Sequence, residues 1–329
     1  MKRSNLRGII HPPEIKDARG ASLMSLSNLS DEVLIELILS YDRDFKSHNK
    51  LVEYCKEEGK IACIRRMLAL FQQRLSSDLC NKAWEVTLSI CLTDKEPEMD
   101  EESSKLWTEA FLTALEDREP GIRIVAAKAL CFGMRGSNFD ERIIKALLNG
   151  LANESESVRF SFAHTLQHIG SRVIPYLLQA LADDRFHKPY SEGTDRRSNV
   201  WDILCILDGI LDQNKASAIK DRFVMESDDC EKCAEAVADF LSERFPNDGM
   251  DYLDIWKAGD TLGEGIGGRE GFEKLSALVA HPDPRVRASV AHGLSHIKEL
   301  EAQKKLTLML DDPAEIVRAE VAKYLKLNL

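Results

Sequence analysis

From Ser30 onward, apolar residues return every three or four positions along nearly the whole chain, with polar residues between them. That period places the apolar side chains on one face of an α-helix. The segment "SDEVLIELILSY" opens at a Ser N-cap, and "IACIRRMLALFQQRL" and "NKAWEVTLSICL" carry the same pattern forward. The two-residue alternation of a half-buried β-strand is absent. An acidic stretch, "TDKEPEMDEESS" (93–104), separates this first helical region from the next.

Beyond that stretch the helical pattern repeats itself. "EPGIRIVAAKAL", "SESVRFSFAHTL", "DPRVRASVAHGL" and "PAEIVRAEVAKYL" align on Arg123, Arg159, Arg287 and Arg318. One position before each Arg stand Ile122, Val158, Val286 and Val317. Four positions after it stand Ala127, Ala163, Ala291 and Ala322, and seven after it Leu130, Leu166, Leu294 and Leu325. On a helix these slots share a face, where Ala admits a close neighbour and Leu fills the core. A degenerate fifth copy places Cys233, Ala234, Ala238 and Leu241 in the same slots. Each copy follows another amphipathic helix and a polar turn. Turn residues such as Asp117, Asn153 and Asp312 are placed to cap the next helix or to pair with an Arg of a neighbouring repeat.

These segments, above all "HPDPRVRASVAHGL" and "DDPAEIVRAEVAKYL", resemble the HEAT repeat, in the short bacterial form also found in phycobilisome-lyase-type proteins. The resemblance is strong over 269–329 and 103–170, partial over 214–243 and weak before 100. It implies an all-α, right-handed α-solenoid of roughly six to eight helical hairpins. The chain then divides into a flexible N-terminal tail (1–28), a degenerate or capping helical region (29–100) and the repeat array (101–329). Arg287 and Arg318 are 31 residues apart, a bare repeat, whereas Ala234 and Arg287 are 53 apart. The excess of about 22 residues maps to an insertion at 246–268. A second insertion falls at 183–199. Insertions in such arrays form loops, often on the binding face.

Composition narrows the function. The chain has 329 residues and a net charge of −11, and residues 1–28 hold five Lys/Arg against two Asp/Glu. An acidic total works against binding nucleic-acid phosphates and suits a basic protein partner. No run has the length of a membrane span. The eight cysteines lie mostly within apolar helical patterns, which reads as reduced thiols and a cytoplasmic protein.

Candidate chemistry is sparse. His292 and His296 are four apart on one helix, and His164 and His168 fill the same slots of an earlier copy. Five and nine residues after the Arg lie at roughly 140° and 180° around the helix, opposite the apolar face. A column of Lys128, His164, His168, His292, His296 and Lys323 is therefore expected to face outward into a groove lined by the second helices. Each His pair supplies two ligands where a metal needs three or four, and the pairs are too far apart to share an ion, so no metal or cofactor is expected. Di-iron enzymes that resemble this fold use adjacent His-Glu pairs, which do not occur here. Cys230 and Cys233 read as buried thiols. Gly263, Gly265 and Gly268 match a dinucleotide fingerprint but follow no strand, so they read as a flexible loop. In the 183–199 insertion, Arg185, His187, Tyr190, Arg196 and Arg197 combine charge and rings as interface residues do. The expected function is a non-catalytic protein-interaction scaffold or adaptor that holds its partner in the groove and by the insertions. The resemblance leaves a bilin chromophore lyase or isomerase as the alternative. A DNA-repair type of nucleic-acid binder is a third reading, which the acidic charge disfavours.

Overall fold

A computed structural model describes residues 101–133, 140–153, 155–187, 198–218, 227–243 and 252–326, together with Ser30, Val33 and Leu34. The chain divides into two compact units, Met1–Gln73 and Arg74–Leu329, and the helices below belong to the second. The tail at 1–28 and almost all of 29–100 lie outside the described residues.

Twelve α-helices occur among the described residues, and no β-strand does. They are α1 (Glu101–Leu115), α2 (Pro120–Gly133), α3 (Glu141–Asn153), α4 (Glu156–Ile169), α5 (Ile174–Leu181) and α6 (Asn199–Ala218). Then follow α7 (Ser227–Glu243), α8 (Tyr252–Asp260), α9 (Gly268–Leu278), α10 (Pro284–His296), α11 (Leu300–Leu308) and α12 (Glu315–Leu325). Consecutive helices form six hairpins. Even-numbered helices pack on one another in order from α2 to α12, and odd-numbered helices pack likewise from α1 to α9. The result is a two-layer stack of HEAT-like hairpins, an α-solenoid in which each repeat touches mainly its neighbours.

The repeat slots explain the stacking. Val158, Phe162 and Leu166 of α4, and Val286, Ala291 and Leu294 of α10, are buried. Each such large apolar side chain contributes about 1.5–3 kcal/mol through removal from water. Of the four aligned alanines, Ala127, Ala291 and Ala322 are buried, while Ala163 is half-buried. The turn "HPDP" starts α10 cleanly: Pro284 occupies the first turn, and the Asp283 side chain accepts from the Arg285 N–H at 2.8 Å. Gly170, at φ 81°, ends α4 with its N–H on the Gln167 and Leu166 carbonyls.

In three of the hairpins the shared Arg ties the second helix to the turn before it. Arg123, Arg287 and Arg318 donate to the carbonyls of Asp117, His281 and Asp312, six residues back, at 2.5–2.7 Å. Arg287 also makes a bidentate pair with Asp312 of the next hairpin, at 2.7 and 2.9 Å. This is the neighbour-repeat pairing expected of a turn acid.

One expectation is corrected. The segment 246–268 is not a loop from Tyr252 onward. Residues 252–260 form α8, the second helix of the fourth hairpin, and Thr261–Ile266 continue it as a π-helical turn closed by Gly267 N–H on the Leu262 carbonyl. The degenerate copy around Cys233 is therefore the first helix, α7, of that same hairpin. Gly263 is buried rather than part of a flexible loop: a Cβ there would meet the Gly293 carbonyl oxygen of α10 at 2.1 Å. The glycines that suggested flexibility allow two helix backbones to touch.

Candidate functional site

The second helices of the hairpins carry the candidate groove residues. Lys128 on α2, His164 and His168 on α4, His296 on α10 and Lys323 on α12 are exposed. On α4 they join Phe160, which is 72% exposed. The Phe160 and His164 ring centroids lie 6.4 Å apart, and His164 and His168 lie 4.5 Å apart. The His164 Nδ1 also sits 3.5 Å from the Cys131 thiol of α2. The result is a row of rings along the outer side of α4.

His292 departs from the expected column. It is only 4% exposed, because α8 lies against the face of α10 that carries it. Trp256 of α8 stacks on the imidazole, with centroids 4.0 Å apart and planes 26° apart. Nε2 lies 3.3 Å from Asp260 Oδ1, and Nδ1 contacts the Tyr324 hydroxyl of α12. Tyr324 donates to Glu320 at 2.7 Å. On the next turn of α10, His296 Nε2 lies 3.6 Å from the same Asp260 oxygen. Its Nδ1 is 3.8 Å from Glu264 of the π-helical turn.

The polar path continues inward. Lys257 pairs with Asp260 Oδ2 at 2.7 Å and with Asp208 of α6. Burial disfavours the Lys257 ammonium, but the Asp208 charge and the hydrogen bonds to Asp208 and Asp260 outweigh it, so its pKa rises. Burial likewise pulls the Asp260 carboxyl upward, yet the His292 and Lys257 hydrogen bonds prevail and hold it at about 2. Burial and the Glu320 carboxylate push the Tyr324 phenol up, which keeps its proton in place. Asp208, Lys257, Asp260, His292 and Tyr324 thus link the second helices of four successive hairpins.

Asp260 is the residue that the sequence reading missed. A His-x-x-x-His pair was counted as two ligands, yet the fold brings a carboxylate from the preceding hairpin to both rings. Asp260 lies eight residues before Gly268, in a stretch whose glycines signalled a loop, and no spacing rule connects it to His292.

The insertion residues are only partly described. Arg185 lies in a 3₁₀ turn, Asp184–His187, and pairs with Asp183 at 2.7 Å. With Lys145, Tyr176 and Phe186 it lines a shallow cavity of about 350 Å³ between α3 and α5. His187 is turned inward, its Nε2 2.8 Å from the Leu181 carbonyl and its ring against Phe240. Tyr190, Arg196 and Arg197 lie outside the described residues. Of the Cys230–Cys233 pair, Cys233 is buried and its thiol is pushed up to about 12 by burial, with Cys230 and Asp229 adding to the shift. That thiol is a poor nucleophile at neutral pH.

A model of HEAT repeats matches residues 108–188 and 238–326. The chain belongs to the HEAT-repeat family. No curated protein matches the HEAT chain. It is similar to the karyopherin Kap121p bound to the SUMO protease Ulp1p, at 12% identity and a TM-score of 0.43, over 92% of this chain and 38% of that one. It therefore spans little more than a third of that karyopherin. It is also similar to human deoxyhypusine hydroxylase in complex with glycerol, at 15% identity and a TM-score of 0.28, over 82% of this chain and 98% of that one. An engineered protein is a third such structure, at 17% identity and a TM-score of 0.33, over 90% and 77%. No described helix of the HEAT array is long and apolar enough to cross a membrane.

Proposed function

We propose that this HEAT array is a non-catalytic protein-interaction module that holds a protein partner along its inner helices. The ring row on α4 carries this reading. Phe160, His164 and His168 stand exposed and adjacent, and exposed aromatic rings supply large contact area at little entropic cost. Lys128 on the neighbouring α2 adds an exposed donor, and Lys323 on α12 adds another farther along the array. The net charge of −11 adds a long-range attraction for a basic partner, one that salt screens.

The test compares the wild-type chain with a F160S/H164A/H168A variant as bait in the native host. All three side chains are exposed, so the variant should melt with the wild type. The expected result is a protein retained stoichiometrically by the wild type and lost by the variant. Identical retention by both baits would remove α4 from the interface and end this reading.

A further inference from the structure

We propose that Asp260, His292 and His296 bind one divalent transition-metal ion of the zinc class. This goes beyond the interaction reading and does not depend on it. One ligand atom from each residue lies within 4.8 Å of the other two, and Asp260 and His292 are buried. Asp260 Oδ1 stands 3.3 Å from His292 Nε2 and 3.6 Å from His296 Nε2. Ligands at zinc distances in a tetrahedron are about 3.4 Å apart, whereas octahedral neighbours are about 3 Å apart. The two Asp260–His separations are close to the tetrahedral value. His296 is the more exposed member.

The surroundings fix which nitrogens face the ion. A carboxylate only accepts hydrogen bonds, so the Tyr324 hydroxyl, 2.7 Å from Glu320, spends its proton there. Lys323 donates to the same hydroxyl oxygen at 3.2 Å. That oxygen is placed to accept from the His292 Nδ1–H in the tautomer that presents the Nε2 lone pair to an ion. In that tautomer the Nε2 lone pair and the Asp260 carboxylate converge, and a metal cation between them satisfies both. His296 repeats the pattern, with Nδ1 toward Glu264 and Nε2 toward Asp260. Carboxylates or hydroxyls behind the far ring nitrogens are what metal-binding imidazoles carry. Lys257 occupies only Oδ2 of Asp260, leaving Oδ1 to the ion. Three protein ligands leave a fourth position for water or for a side chain of a bound partner.

The experiment titrates the chelator-stripped full-length chain with Zn²⁺ by calorimetry, and with Co²⁺ by visible absorption. It runs the wild type, H296A, H168A and Y324F in parallel. His168 holds the same helix slot three hairpins away and serves as the control. The expected result is one Zn²⁺ per chain and the strong visible bands of tetrahedral Co²⁺ in wild type and H168A. H296A should bind at least tenfold more weakly and lose the bands, and Y324F should bind about tenfold more weakly. His296 is partly exposed, so its loss should not unfold the chain, and circular dichroism checks this. Absence of stoichiometric binding in the wild type overturns the proposal. Equal binding by wild type and H296A overturns it as well.

Discussion

Two residues in equivalent repeat slots show how far a side chain's role depends on its neighbours. His164 and His292 both stand five positions after a repeat Arg, yet the first is exposed and the second buried. The difference lies in the helix that packs beside each. Periodicity was enough to place Val158, Leu166, Val286 and Leu294 in the core, because an apolar stripe buries itself against any neighbour. It was not enough to place His292, whose surroundings come from Trp256 and Asp260 on another hairpin. Asp260 supplies a test at this scale. Its carboxyl is held at about 2 in the folded chain, against an ordinary value of 3.8. A lowered pKa stabilises the fold above the ordinary value, and that stability disappears as pH falls through the folded one. D260N should therefore be less stable than wild type by about 2 kcal/mol at pH 6, and the gap should close between pH 4 and pH 2. Urea unfolding across that range measures it; a constant gap would mean that the carboxylate charge is not what matters.

At the scale of elements, the α8–α10 pair decides the site. Ser289 Oγ donates to the Ile255 carbonyl at 2.6 Å, and Gly263 faces Gly293 with no side chain between them. The sequence showed the glycines but not their meaning. Gly-rich composition fits both a loop and a close helix crossing, and only the partner backbone tells them apart. The hairpins at 103–170 and 269–329 were legible because four slots coincide in each copy. The fourth hairpin was not, because its second helix keeps neither the Arg nor the Ala-Leu spacing and runs on into a π-helical turn. The crossing predicts a contrast between two alanine substitutions. A Cβ at Gly263 meets backbone, which cannot yield, whereas a Cβ at Gly209 of α6 meets the end of the Gln167 side chain, which can. G263A should cost about 2–3 kcal/mol and G209A about 1 kcal/mol or less. Thermal melts of the two variants compare them directly, and equal losses would refute the backbone contact.

Across the whole array, stability should fall off with distance from any damage. Each hairpin packs chiefly on the ones beside it, so coupling between distant repeats is indirect. A chain shortened to end at Lys298 loses α11 and α12, and with them Tyr324 and the Asp312 partner of Arg287. Hydrogen exchange should then speed up across 252–296 and remain unchanged across 141–181. Uniform acceleration in both segments would show a single cooperative unit instead. The joints between hairpins are also unequal in what separates them. Between α4 and α6, Gln167 lies over Gly209 and can swing aside. Between α8 and α10, main chain rests on main chain, so no rotamer change can absorb a bend. A bend is therefore absorbed more easily at the α4–α6 joint, and the segment from Tyr252 to His296 resists it as one stiff block.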